Sequence, residues 1–340
     1  MTPFLAKTND VKLITLTDKK WHWRARCSSL QFEDQLPVDP ALVDVLLVSS
    51  VFPLAEFIGT HPEYSSKRKV IYFHENQLVY PVQETKERDF QYGYNQIMAA
   101  LAANAIIFNS EWCHRSFIDN IAKHLKMIPD NRPHAKTISA KIDAKSSVVY
   151  FPIKSWPTIE QVPNQEQPVH IVWAHRWEHD KNPQLLFNAL ERIKDESFVL
   201  SVIGQTYSHV PDAFVKGKES FGERIVNWGF LPSRDDYVNV MNNADIAIST
   251  ADHEFFGVTM VEAALAGCLC FVPNKLSYPE IFPKEVRYNT EAQLAKLLKQ
   301  AIRSGRERIA KKAEEMDVRK VHGEQFAAEI VCQRIKESFE

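Results

Sequence analysis

The feature that most constrains this chain is an alternation that runs through it and then starts again. Strand-length apolar runs are separated by stretches with helical spacing. In the first half the runs are "VKLITLT", "VDVLLVSS", "KVIYF", "NAIIF" and "SSVVYF", and "FQYGYNQIMAALAA", residues 90–103, divides two of them with a helical repeat. Such alternation predicts a parallel sheet with crossover helices. Across residues 151–168, "FPIKSWPTIEQVPNQEQP", four prolines and several polar residues break the periodicity and read as a domain linker. The alternation then restarts with "VHIVWAH", "SFVLSVIG", "IVNWGF", "ADIAIST" and "CLCFVP", separated by stretches such as "PQLLFNALERIK". The expectation is an α/β protein of two Rossmann-like parallel-sheet domains, residues 1–156 and 157–321, facing across a cleft. Residues 322–340, with helical spacing in "GEQFAAEIVCQRIKESF", close the chain and could pack on either domain. Ligands of such sheets bind at the C-terminal ends of the strands.

Length and composition agree with this and exclude several classes. At 340 residues the chain is too long for one ordinary core and suits two domains of roughly 150 residues each. No apolar run has the length of a membrane span, and the N-terminus lacks a basic region followed by an apolar stretch. The five cysteines, Cys27, Cys113, Cys268, Cys270 and Cys332, form no C-x-x-C pair, which fits reduced packing thiols in the cytoplasm. A formal net charge of −2 argues against generic polyanion binding. Locally, Trp112 to Lys154 carries eight Lys/Arg against three Asp/Glu, either a solvated face or a contact with a phosphate backbone. No G-x-x-x-x-G-K-[ST], no G-x-G-x-x-G and no His/Cys/Asp cluster at metal-ligand spacing is present, against a P-loop nucleotidase, a standard nicotinamide enzyme and a zinc hydrolase.

Two loops carry the charges that a nucleotide would need. In "VWAHRWEHDKNPQLL" an apolar strand ends at Ala174, and Asn182 with Pro183 reads as the N-cap and first position of a helix. Arg176 and Lys181 thus lie at the C-terminal edge of a strand, where a guanidinium fork and an ammonium point charge can neutralise a diphosphate. In "DHEFFGVTMVEAALAGC" a strand-to-helix loop is followed by a helix from about Gly257 to Ala266, stopped by Gly267. Its first turn is a place for an anion, and Gly257 lets a ligand approach the N–H groups there. Glu254 and Glu262 are candidates to accept hydrogen bonds from sugar hydroxyls, against the alternatives of a solvated loop acid and an ordinary exposed helix position. Glu262 stands in the otherwise apolar "MVEAALAG", where an unpartnered buried carboxylate would be costly. His74 and Glu75, in "KVIYFHENQLVYP", also follow a strand directly. "KKWHWRAR", residues 19–26, suits stacking on bases and binding phosphates, or equally an aromatic lid on a core.

The spacing Arg176-x4-Lys181 followed by Glu254-x7-Glu262 resembles the donor site of retaining nucleotide-sugar glycosyltransferases of family 4, with the GT-B fold. "KKWHWRAR", "YFHENQLVYPV", "ERDFQYGYNQI", "HRWEHDK", "HEFFGV" and "YPEIFP" resemble, more narrowly, the tRNA-queuosine α-mannosyltransferase family, over about Leu13 to Tyr288. The resemblance implies a retaining hexosyltransferase that moves mannose from GDP-mannose to the cyclopentenediol of queuosine in the anticodon loop of an aspartate tRNA, with no metal or further cofactor. It assigns Arg176, Lys181, Gly257, Val258 and Thr259 to the donor diphosphate, Glu254 to the transferred sugar, Glu262 to the ribose, and Trp228, Gly229, Phe230 and Leu231 to the base pocket. His74 joins Glu254, Arg176 and Lys181 as a catalytic candidate. Trp21, His22, Trp23, Arg24, Glu75, Asn76, Gln77, Arg88 and Tyr94 fall to the acceptor. The partners implied are a nucleotide-sugar donor and queuosine-containing tRNA in the cytoplasm, without a membrane. A related transferase with another sugar or acceptor, or an idle nucleotide- or tRNA-binding homologue, is the alternative. One departure stands out: the family opens with a strand and a Gly-Gly-Ser-His loop, whereas "MTPFLAKTND" has no glycine, so the expectation is a chain shortened at its start.

Overall fold

The computed structural model describes residues 1–17, 19–36, 39–81, 89–157, 166–207, 210–316, 318 and 325–340. Two compact units emerge. One comprises Met1–Pro152 with Phe326–Glu340, the other Ile153–Gln325. The closing segment, which the sequence set apart from both domains, thus belongs to the first unit, and the linker's residues 158–165 lie outside those described.

The first unit contains α1 (Thr2–Leu5), α2 (Trp21–Gln31), β1 (Val45–Ser49), α3 (Leu54–Thr60), β2 (Arg68–Phe73), α4 (Phe90–Ala102), β3 (Ala105–Phe108), α5 (Glu111–Leu125), α6 (Ala135–Asp143) and β4 (Ser146–Val148). The four strands pair in parallel in the order β1-β2-β3-β4. Side chains alternate across a strand, and here both faces are covered, so "VIYF", residues 70–73, is apolar throughout. Phe73 and Phe108 turn one way, onto Phe117 of α5, at ring-centroid distances of 4.8 and 5.8 Å. Val70, Tyr72 and Ile107 turn the other way, onto Val331 and Ile335. Sequence periodicity predicted a strand in "VKLITLT", and the structure corrects it: residues 11–17 are irregular, and Leu13 is 63% exposed. An alternating run becomes a strand only where a neighbour completes its hydrogen-bond ladder, and none of the described strands does so there.

The second unit contains β5 (Val169–Ala174), α7 (Pro183–Glu191), β6 (Phe198–Ile203), α8 (Asp212–Phe221), β7 (Ile225–Gly229), α9 (Arg234–Asn243), β8 (Ile246–Ile248), α10 (Val258–Leu265), β9 (Leu269–Pro273), α11 (Tyr278–Ile281), β10 (Arg287–Tyr288), α12 (Glu291–Ser304) and α13 (Arg306–Glu315). The chain then returns to the first unit as α14 (Ala328–Glu337), which supplies the Val331 and Ile335 just described. The six-stranded sheet is parallel, in the order β10-β9-β8-β5-β6-β7. The strand order reverses at β5, between β8 and β6, the position where open α/β sheets form a ligand crevice at the strands' C-terminal ends. No helix among the described residues is long and apolar enough to cross a membrane.

Candidate active site

The site is built where β5, β6 and β8 end. After Ala174 the chain runs through His175 and Arg176 to a short turn, and Asn182 caps α7 by accepting from the Leu185 N–H at 3.1 Å, with Pro183 at the first helical position. The loop is tied to the end of β8 by one hydroxyl. Thr250 Oγ1 donates to the Lys181 carbonyl at 2.6 Å and accepts from Trp173 Nε1 at 3.0 Å. The Lys181 ammonium is thereby buried. It donates to the His253 carbonyl at 2.7 Å and lies 3.3 Å from Asp180 Oδ2 and 3.4 Å from Glu254 Oε2. Burial alone would lower its pKa, but Glu254 and Asp180 outweigh burial and hold it above the ordinary value, so Lys181 stays charged.

Glu254 answers in kind. Burial disfavours its charged form, yet Lys181 and the Phe256 N–H bring its pKa below the ordinary value, and the carboxylate persists. Its Oε1 accepts from the N–H groups of Phe255 and Phe256 at 3.1 and 3.4 Å, which fixes the side chain against its own loop. Gly257 follows in the left-handed region, at φ 94°, and turns the chain into α10. Here a Cβ would meet the Tyr278 ring at 2.8 Å, so both conformation and space call for glycine. Ser277 Oγ donates to the Phe256 carbonyl at 2.9 Å from the other side. The motif "YPEIFP" is therefore the brace beneath the helix start. The N–H groups of Val258 and Thr259 have no acceptor among the described residues, and both residues line the cavity described next.

That cavity, of about 430 Å³, brings together Arg176, Lys181, Glu254, Val258, Thr259, Glu262, Phe230 and Leu231 from the sequence-predicted set. It also contains residues that sequence reasoning missed: His175, Gly204, Gln205 and Tyr237. Arg176 is half-exposed and paired with Glu178 at 3.0 Å, a contact that an incoming anion can replace. Glu262 is oriented by two donors, Arg234 Nη2 to Oε1 at 2.7 Å and Tyr237 Oη to Oε2 at 2.8 Å. Burial and Glu262 push the Tyr237 phenol well above its ordinary pKa, so it remains a donor. Each carboxylate oxygen keeps lone-pair capacity for a diol. His175 is buried, and burial followed by Lys181 lowers its pKa to about 3, so it is neutral beside the cations. Gly204 exists for His175: at φ 148° its backbone passes so close that a Cβ would lie 1.8 Å from the His175 carbonyl oxygen. The missed residues share a signal too weak to read in one dimension, since Gly204 closes an ordinary strand and Arg234 and Tyr237 begin an ordinary amphipathic helix.

Trp228 is placed elsewhere. Its ring packs with Trp177 and Phe187, at centroid distances of 5.0 and 6.2 Å, outside the cavity lining, while Gly229 accepts from the Gly204 N–H at 3.0 Å. Gly257 likewise shapes the lining without joining it. Among the described residues no group of three His, Cys, Asp or Glu could hold a metal ion. On the first unit, His74 follows β2, with Nδ1 3.5 Å from Ser50 Oγ and Nε2 3.9 Å from Glu75 Oε2. Glu75 accepts from Gln77 Nε2 at 2.7 Å, and the Gln77 N–H donates to Gln96 Oε1 at 2.7 Å. Asn76 is fully buried, donating to Ser116 Oγ at 3.1 Å and accepting from the Leu78 N–H at 2.9 Å. Trp21, His22, Trp23 and Arg24 form the first turn of α2, with Trp23 61% exposed. Tyr94 stacks on Phe90 at 5.6 Å, and Arg88 lies outside the described residues.

Comparison with known proteins fits this geometry. Residues 4–153 match the family described as tRNA-queuosine alpha-mannosyltransferase N-terminal, and residues 155–316 match glycosyl transferases group 1. A Drosophila melanogaster protein, tRNA-queuosine alpha-mannosyltransferase, is 45% identical over 302 residues, 85% of this chain and 78% of that one. In fold the chain is similar to a glycosyltransferase from Rickettsia africae, with a TM-score of 0.64 at 17% identity over 97% of this chain and 83% of that one. Sucrose-phosphate synthase from Thermosynechococcus elongatus gives 0.66 at 13% identity over 96% and 80%. TarM of S. aureus, solved with fondaparinux, alpha-GlcNAc-glycerol and UDP, gives 0.64 at 13% identity over 93% of this chain, which spans 59% of TarM.

Proposed function

The chain belongs to the tRNA-queuosine alpha-mannosyltransferase family, and from that premise we propose that it transfers mannose from GDP-mannose to the cyclopentenediol of queuosine in tRNA, with retention of configuration. The observation that carries the reading is the joining, in one cavity, of a buried charged lysine, a half-exposed arginine, the unoccupied N–H groups of α10 and two fixed carboxylates. These are the groups that the donor's chemistry demands. When the sugar–phosphate bond breaks, charge develops on the nucleoside diphosphate. Lys181, Arg176 and the first turn of α10 meet that charge with donors that need no rearrangement. Glu254 holds the hydroxyls of the transferred sugar, and Glu262, kept in place by Arg234 and Tyr237, holds the ribose diol. Phe230 and Leu231 border the base.

Retention follows if the acceptor hydroxyl attacks the face from which the diphosphate leaves, its proton passing to a departing phosphate oxygen. On the first unit, His74 and Glu75 at the end of β2 are the proposed acceptor-side groups. Cytoplasmic tRNA is the proposed pool.

Mass spectrometry of nucleosides from queuosine-containing tRNA, incubated with the protein and GDP-mannose, tests this. One added hexose on queuosine is expected, with Lys181→Ala and Glu254→Ala each lowering the rate by roughly a hundredfold or more. A hexose added from a UDP-sugar but not from GDP-mannose would overturn the donor assignment.

A further inference from the structure

Four cations at the tip of one helical hairpin have no part in the site above. His114, near the start of α5, lies 2.8 Å from Asp143 at the end of α6, so the two helices run antiparallel and α6 begins beside the end of α5. Lys123, Lys126, Arg132 and Lys136 therefore share that end of the hairpin, all exposed, and Asp130 is the sole acid from residue 123 to residue 136. None of the four has an ion-pair partner among the described residues, and Arg132 donates Nε to the Ile128 carbonyl at 2.7 Å. Other exposed cations are neutralised by nearby acids, Arg192 by Glu291, Lys275 by Asp252, and Lys299 with Arg303 by Glu196, whereas among the described residues this tip gathers four without one. A cluster of like charges gains nothing from the fold, but a polyanion takes it up with release of counterions.

A second observation joins this tip to the aromatic start of α2. Between Lys123 and Lys126, His124 is buried and stacks on Phe90 at 4.5 Å, its Nε2 3.1 Å from the Phe90 carbonyl. Phe90 opens α4, and two residues on, the Tyr92 ring lies 5.0 Å from Trp21, with its hydroxyl 2.9 Å from His22 Nδ1. Arg26 pairs with Asp89, the N-cap of α4, and covers the Tyr92 ring at 5.1 Å. The first turn of α4 thus clamps the end of α5 and the start of α2 together. Cations that suit a backbone adjoin rings that suit unpaired bases.

We propose that the tip of the α5–α6 hairpin is a docking surface for the phosphate backbone of tRNA, beside the α2 rings that take unpaired bases. It rests on the reading that the substrate is tRNA. The experiment compares the wild type with the triple variant Lys123→Ala/Lys126→Ala/Arg132→Ala in tRNA binding across salt concentrations, in tRNA KM, in GDP affinity and in Tm. The expected result is a slope of log K against log salt smaller by about two to three, at about 0.9 per lost phosphate contact. A rise in tRNA KM of about tenfold should accompany it, with GDP affinity and Tm unchanged. A second triple variant, Lys123→Arg/Lys126→Arg/Arg132→Lys, keeps the charge and should keep the slope. A wild-type slope and KM in the alanine variant overturn the proposal. So does a variant that loses binding to phosphatidylserine vesicles while its tRNA binding is intact, which would assign the patch to a lipid surface. A wild type that binds tRNA through this patch but transfers no mannose leaves the docking surface standing and removes the activity proposed above.

Discussion

Two histidines near Lys181 show how single residues set the electrostatics of the pocket. Burial, and then Lys181, lower His175 to about 3 and His253 to about 4 from an ordinary 6.5, and burial moves His170 the same way. Below pH 6.5 the unfolded chain therefore binds protons that the folded chain refuses, and stability falls as the pH falls. For each histidine fully held neutral the loss steepens from about 0.7 kcal/mol per pH unit at pH 6.5 to about 1.3 at pH 5. Urea midpoints across that window should show it, and His175→Gln should remove about one histidine's share of the slope; an unchanged slope would mean that His175 is solvated. The same neutrality keeps the two histidines from repelling Lys181 and leaves the diphosphate to the cations. Glu262 offers a second residue-scale test. Removing one of its two orienting donors by Tyr237→Phe should weaken GDP binding roughly fivefold to tenfold, about 1–1.5 kcal/mol. Binding of a 2′,3′-dideoxy analogue should be nearly unaffected, as calorimetry would report. The sequence marked Glu262 because an acid in an apolar helix demands a partner. It could not name Arg234 and Tyr237, which come from a helix that precedes Glu262 by a whole strand.

At the scale of elements, α10 was the most legible feature, because its glycines and its apolar face fix both ends locally. Gly257 and Gly267 each sit at φ 94°, one before the helix and one after it. They differ in their surroundings: a Cβ at Gly257 would be 2.8 Å from the Tyr278 ring, and one at Gly267 would have nothing within 4 Å. Gly267→Ala should cost only the left-handed backbone penalty, about 1–2 kcal/mol. Gly257→Ala should cost more than Gly267→Ala in urea unfolding, and it alone should weaken GDP binding, because displacing Tyr278 tilts the N–H groups of Val258 and Thr259. Equal losses of GDP affinity in both variants would show that the helix start does not hold the phosphates. The strands with a neighbour were legible, except the two-residue β10 at the sheet's edge, too short to show a pattern. "VKLITLT" misled because alternation reports two-faced chemistry and leaves open whether a neighbouring ladder is there to accept it. Trp228 shows the limit of such a reading, since the sequence places a residue at a strand end without saying which neighbours its ring meets, here Trp177 and Phe187.

For the whole molecule, two repeated α/β units were readable because the alternation restarts after the prolines, whereas the destination of the last helix was not. An amphipathic helix states that it must cover an apolar surface and is silent about which one. Here the face carrying Val331 and Ile335 closes the core formed by Val70, Tyr72, Ile107 and Val149. Arg334 adds a bond to the Val148 carbonyl at 3.1 Å, and Arg68 donates to the Ser338 carbonyl at 3.1 Å. The residues of the second unit are therefore strung between two parts of the first, whose core joins segments from both ends of the sequence. Val331→Ala with Ile335→Ala removes buried methyl and methylene groups from that core, at a cost of roughly 3–6 kcal/mol for the pair. Hydrogen exchange followed by peptide should show protection lost in β2 and β3 and retained in β5 and β6, with GDP binding kept and acceptor modification lost. Uniform loss of protection over both sheets would mean instead that the units unfold as one. Retained acceptor modification would mean that the first sheet works without its closing helix.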